Sequence, residues 1–121
     1  MKILTITFLE TNWVLATVDG TCDEVCSETG RKCNSQRQST LITNELVAEK
    51  MLEAGHICKG YFADCRTYAG APFSTGRSDD CAPICQGTKS VCNGNLAIGD
   101  GHRPLCYCEG KMELKLFYCT L

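Results

Sequence analysis

Histidine, tryptophan, aromatic side chains and blocks of like charge are all sparse in this chain of 121 residues, and each scarcity excludes something. Twelve basic residues face 14 acidic ones, a net charge of −2 spread along the sequence, which fits neither a nucleic-acid footprint nor an anionic-membrane footprint. No apolar run approaches the ~20 residues that a transmembrane helix needs. The two histidines, His56 and His102, lie in no recognisable nucleophile motif, so no enzymatic activity is expected. No Asn-x-Ser/Thr sequon occurs, which removes N-glycosylation. No Cys-x-x-Cys pair occurs either, and zinc would need reduced thiols at the one close spacing, Cys106-x-Cys108. Asp79, Asp80 and Asp100 do not fall in an EF-hand ligand pattern, so neither a metal nor another cofactor is expected.

What the chain does have is cysteine. Eleven of them in 121 residues reach the density at which a disulfide scaffold is the default reading, and such a scaffold persists in an oxidising compartment. The expected localisation is therefore secreted or cell-surface. The most informative stretch is GTCDEVCSETGRKC, residues 20–33, which carries Cys22, Cys26 and Cys33. Cys22 and Cys26 are four apart and share one face of a helix. Asp23 and Glu24 suit its first turn, and Gly30 can supply the left-handed residue beyond its end. A short helix over residues 22–29, anchored by disulfides, is expected.

Residues 3–9 alternate with period two. Leu4, Ile6 and Phe8 point one way, so a strand is predicted, followed by a turn at residues 10–12 and a second strand, WVLATV, over residues 13–18. With Met1 and Lys2 this start is weighed as a signal peptide. Two threonines in the apolar run, Glu10 behind it and the lack of a small-x-small site favour mature residues instead. Residues 33–40 read as a polar loop. A second helix starts near Thr43 or Asn44, with Leu46, Val47, Met51 and Leu52 as its buried stripe, alongside Ala48 and Ala54, and Gly55 ends it. A short strand with irregular flanks follows, then loop-rich sequence over residues 70–104 that only cysteines could hold, then a closing strand, RPLCYC. The tail alternates again, with Met112, Leu114, Leu116 and Tyr118 on one face of a final strand. The fold class expected is a small disulfide-rich α+β module, an antiparallel sheet with two short helices and long loops. Residues 1–12 form an arm, and residues 13–121 the cysteine-rich module with its C-terminal strand.

The ordered pattern of Trp13 in WVLA, Gly20, Cys22, Cys26 and Cys33, then AGHIC at residues 54–58, a proline-containing loop and the closing RPLCYC resembles a known one. It resembles the cysteine-rich extracellular module of algal and protist surface proteins. It is also similar to the cysteine-rich C-terminal region of N-acetylglucosaminyltransferase V-type proteins. The resemblance covers about residues 13–108 and includes no glycosyltransferase catalytic region, so it implies a small extracellular module and no reaction. It implies a shared framework of Cys22, Cys26, Cys33, Cys58, Cys81, Cys92, Cys106 and Cys108. Cys65 and Cys85 are additions to that framework, and their joint presence suggests that they pair. Cys119 makes the total odd and is expected to be unpaired or intermolecular.

Two function classes follow. One is an extracellular structural protein, the protomer of a fibril or surface layer, packing head-to-tail through Leu4, Ile6 and Phe8 of the N-terminal strand. The other is a secreted carbohydrate-binding module using Tyr61, Phe62, Tyr68, Phe73 and Tyr107 to stack on sugars. The expected partners are copies of the chain itself or glycans.

Overall fold

One strand gathers most of the others. It is β6, His102–Glu109, and at eight residues it is the longest strand among the described residues. A computed structural model describes residues 11–94 and 101–111 of the chain. Before β6 the chain runs β1 (Trp13–Leu15), α1 (Cys22–Ser27), β2 (Lys32–Cys33), α2 (Ser35–Gln38), α3 (Asn44–Glu53), β3 (Gly60–Tyr61), β4 (Phe73–Thr75) and β5 (Asp80–Ala82). The sheet order is β1-β6-β4-β5-β3, with β2 pairing a further part of β6. All pairings are antiparallel except β3 with β5, which is parallel. The protein is thus a small disulfide-rich α+β fold with a mixed sheet.

Alternation along the β1–β6 pair explains the layering. Trp13 faces Tyr107, Val14 faces Cys106 and Leu15 faces Leu105. Successive side chains in a strand point to opposite faces. Trp13 and Leu105 therefore enter one cluster with Leu41, Met51, Val47 and Cys81, under α3. Cys106 and Cys108 enter the other, with Ala16, Cys22 and Cys26, under α1. The ring of Trp13 meets Tyr107 edge-on, with centroids 5.1 Å apart. Both faces of β6 are covered, which is why its sequence carries an apolar run rather than a polar-apolar alternation. A third cluster, Ala71, Phe73, Ala82 and Ile84, fills the β4–β5 end.

The helix boundaries follow local chemistry. Thr43 caps α3, its hydroxyl accepting from the Leu46 N–H at 3.2 Å. Gly55, at φ +80°, turns the chain away, donating to the Leu52 carbonyl at 2.9 Å. The expected stripe is corrected in part. Val47 and Met51 are buried and Ala54 packs against them, but Leu46 is 37% and Leu52 64% exposed. The stripe is narrow because Trp13, Leu105 and Leu41 reach only one side of the helix. The polar stretch after Cys33 is not a plain loop. Asn34 accepts from the Arg37 N–H and opens the short helix α2.

Residues 70–104, expected to be held by cysteines alone, also contain the β4–β5 pair, and β4 continues onto β6. Phe73, Ser74 and Thr75 are all buried, so packing holds this stretch as well. The second strand is shorter than WVLATV suggests, yet its pairing continues irregularly, with the Ala16 N–H donating to the Pro104 carbonyl at 2.9 Å. The predicted strands at residues 3–9, with Leu4, Ile6 and Phe8, and at residues 112–118, together with Cys119 and Asp100, lie outside the described residues. No helix among the described residues is long and apolar enough to cross a membrane.

Two adjacent residues in the last turn of α3 should behave differently on truncation. Met51→Ala empties a fully buried site and should destabilise by about 2–5 kcal/mol. Leu52→Ala, at an exposed site, should stay within about 0.5 kcal/mol of the parent. Denaturant titration with the disulfides intact measures both. Equal losses would contradict the placement of the helix.

Candidate functional site

The helix α1 is docked on β6 by two disulfides, Cys22–Cys106 and Cys26–Cys108. The match is geometric. Four residues of helix rise about 6 Å, and two residues of antiparallel strand advance about 6.8 Å. Both bonds can therefore close together when the helix runs along the strand, and their Cα separations are nearly equal, 5.3 and 5.2 Å. The cysteines one turn apart on the helix meet the cysteines two apart on the strand.

Capping fixes α1 at its start. Thr21 Oγ1 accepts from the Glu24 N–H at 3.2 Å and lies 3.1 Å from Glu24 Oε1, to which it donates. Beyond the helix, Gly30 adopts φ +70° and lets the chain turn back toward β2. Arg31 is buried there and donates from Nη1 to the Thr11 carbonyl at 2.7 Å, tying the entry of β1 to this corner.

Three further bonds complete the set among the described residues. Cys33–Cys92 attaches the loop before β6 to the end of β2, and Cys58–Cys81 attaches the segment after α3 to β5. Cys65 bonds Cys85 across a separation of 20 residues. The eight framework cysteines thus close on one another, and the two additional ones form their own bond.

These bonds decide the thiol chemistry. Cys106 and Cys108 carry no thiolate when bonded to α1, so their close spacing is not a zinc pair. Asp23 approaches Cys33 and Cys92, but those two sulfurs are joined, and one exposed carboxylate beside a disulfide is a poor cation site. A surface depression of about 570 Å³ lies beside α1, lined by Asp23, Glu24, Ser27, Arg31, Lys32 and Cys33. Its guanidinium is already engaged, by the Thr11 carbonyl and, at 2.8 Å, by Thr29 Oγ1.

Three segments bring His56, Ser74 and Asp79 together, a grouping invisible in the sequence. His56 Nε2 lies 3.1 Å from Ser74 Oγ and 3.8 Å from Asp79 Oδ1. Both contacts use one ring nitrogen, whereas a nucleophile relay needs serine and carboxylate on opposite nitrogens. Ser74 is fully buried, and Lys59 also reaches Asp79, at 3.4 Å. The arrangement braces β4 against the segment after α3. His102 packs flat on Phe73, with centroids 4.0 Å apart, and is likewise buried.

The aromatic residues named as sugar platforms are mostly spent on one another. Phe73 is buried, with Tyr68 stacked on it at 6.1 Å and Phe62 meeting it edge-on at 5.7 Å. The Arg66 guanidinium covers Phe62 at 4.5 Å. Tyr107 packs on Trp13, and Arg37 lies over its ring at 5.3 Å. Tyr61, 44% exposed, is the most open of the five; Phe62, Tyr68 and Tyr107 are half-buried and Phe73 is buried.

Sequence reasoning missed Gln38. Its side chain is buried, donating from Nε2 to Ser90 Oγ at 2.8 Å and accepting from the Tyr107 N–H at 3.0 Å. A glutamine in an all-polar run carries no signal of that role. The pairing of α1 with β6 did carry one, in the spacings Cys-x-x-x-Cys and Cys-x-Cys.

Exposure ranks the disulfides by access. Cys65 is exposed, whereas Cys22, Cys26, Cys106 and Cys108 are all buried. Stepwise reduction of the native protein, with alkylation and mass spectrometry, should label Cys65 and Cys85 first and the α1–β6 cysteines last. Early labelling of Cys106 or Cys108 would contradict this packing. No protein-family model matches the chain and no curated protein matches it, so the functional reading rests on these residues.

Proposed function

We propose that the protein is a non-catalytic extracellular structural module that assembles with copies of itself, head-to-tail, into a fibril or surface layer through its N-terminal segment, with Leu4, Ile6 and Phe8 as the contacting residues. The coarser part of this reading rests on the small disulfide-rich fold, which fits an extracellular protein. The observation that carries the finer part is the closure of the cysteine set. Ten cysteines are bonded to one another and the chain has eleven, so a disulfide at Cys119 has only another molecule to join. An apolar alternating segment at one end of the chain and an odd cysteine at the other both suit contact between protomers. The resemblance to surface-protein modules points the same way. A carbohydrate-binding role has less support, since it would rest on Tyr61 alone among the five aromatic residues considered for it.

Thr11 and Asn12 are held in the module. Asn12 accepts from the Cys108 N–H at 2.7 Å and donates from Nδ2 to the Cys108 carbonyl at 2.9 Å. A clean deletion therefore stops at residue 10. Oxidised full-length protein should form species that grow with concentration in light scattering. Removing residues 2–10 should leave a monomer with the same five disulfides. Cys119→Ser should remove covalent dimers from non-reducing gels. A full-length protein that stays monomeric at high concentration, or a deletion that assembles as before, would overturn the proposal.

A further inference from the structure

Of the ten bonded cysteines, Cys65 alone is exposed, and its partner Cys85 is half-buried. Ala63 and Asp64, which lead into Cys65, are exposed as well, so the chain does not cover this sulfur from that side. Cys85 instead follows Ile84, which is fully buried in the cluster with Phe73. A thiolate that cleaves a disulfide attacks one sulfur and expels the other, and access decides which sulfur is attacked. Here access favours attack at Cys65, with Cys85 as the leaving group.

The bond is also backed by backbone contacts that do not depend on it. The Arg66 N–H donates to the Pro83 carbonyl at 2.9 Å, and the Cys85 N–H donates to the Arg66 carbonyl at 2.9 Å. A parallel bridge between Arg66 and Ile84 thus runs directly beside the disulfide. On one side of it the Phe62 N–H donates to the Cys81 carbonyl at 3.1 Å, and on the other the Val91 N–H donates to the Ala69 carbonyl at 2.9 Å. The Arg66 guanidinium lies on the Phe62 ring, and the Ile84 N–H reaches the Leu41 carbonyl at 3.1 Å. A segment held in this way keeps its place when the two sulfurs part. Cys22, Cys26, Cys106 and Cys108 differ on both counts, being buried and holding α1 to β6.

We propose that Cys65–Cys85 is a modification site, at which a low-molecular-weight thiol of the cysteine or glutathione class is taken up reversibly on Cys65. The thiolate of that molecule attacks Cys65 Sγ. A sulfur–sulfur bond forms between the two, the Cys65–Cys85 bond breaks, and its electron pair leaves on Cys85 Sγ, which takes a proton from water. One disulfide is exchanged for another, so no oxidant or reductant is consumed. Cys85 is the resolving thiol. As the thiolate it attacks Cys65 Sγ, restores the original bond and expels the small thiol. The modified form therefore presents one new thiol while the Arg66–Ile84 bridge keeps the module folded. This site stands apart from the assembly reading, in which Cys65 and Cys85 take no part.

Oxidised full-length protein treated with reduced glutathione, sampled at short times, quenched with N-ethylmaleimide and mapped by mass spectrometry tests the site. Glutathione should appear on Cys65 and the maleimide on Cys85, about tenfold or more ahead of opening at any of the other four bonds. A bond at Cys119 is read on its own peptide. Glutathione on Cys85, or earlier opening of one of those four bonds, would overturn the assignment. Maleimide on both cysteines, with no glutathione adduct at any time, would show reduction rather than uptake and overturn the proposal. Hydrogen exchange on the double variant Cys65→Ser, Cys85→Ser reads the persistence of the fold. The amides of Arg66 and Ile84 should keep their protection within about tenfold of the parent. A larger loss, or a variant that does not fold, would make the bond structural and overturn its role as a reversible site.

Discussion

The structure depends on an agreement between two repeats. One turn of helix and two residues of strand cover nearly the same distance, and this lets Cys22 and Cys26 close onto Cys106 and Cys108 together. Their separations of 84 and 82 residues bring together two parts of the chain that are far apart in sequence. In the chain-entropy account a closure of that size stabilises by about 4.5 kcal/mol when taken singly, against about 3.3 for one of 20 residues. Nested closures share part of that entropy, so the values rank the bonds rather than add. With α1 fixed on one face of β6, the other face is left to Trp13, Leu105 and α3.

That arrangement also fixes the state of the cysteine, serine and aromatic side chains among the described residues. The cysteines that could have been nucleophiles or ligands are bonded. The serine that meets a histidine is buried, and the histidine uses one nitrogen for both of its polar neighbours. Tyr68 and His102 pack on Phe73, while Arg66 and Arg37 cover Phe62 and Tyr107. What such a unit offers its surroundings is a small core tied together by five disulfides among its described residues.

The parts of the fold legible in the sequence are those that local chemistry decides. Thr43 and Gly55 bound α3 because capping and left-handed turns involve only their near neighbours. Cys22 and Cys26 announce a helical face, and RPLCYC announces a strand. Exposure of Leu46 and Leu52 was not legible, because the side of α3 that is covered depends on Trp13 and Leu105 at remote positions. The helix α2 was hidden because SQRQ has no apolar periodicity, and the strands β4 and β5 because three residues each are too few for an alternation to show. The register of β1 against β6 could not be read at all, since it is a property of two segments about ninety residues apart.

Ten cysteines close among themselves, with α1 stapled along β6, and the proposed assembly needs Cys119 to bond only between molecules. A non-reducing peptide map of the native protein tests it most directly. The account predicts peptides linking Cys22 to Cys106 and Cys26 to Cys108, with any disulfide at Cys119 joining two copies of the chain. A crossed pair, Cys22 with Cys108, or a bond from Cys119 to any of the other ten within one chain, would contradict it.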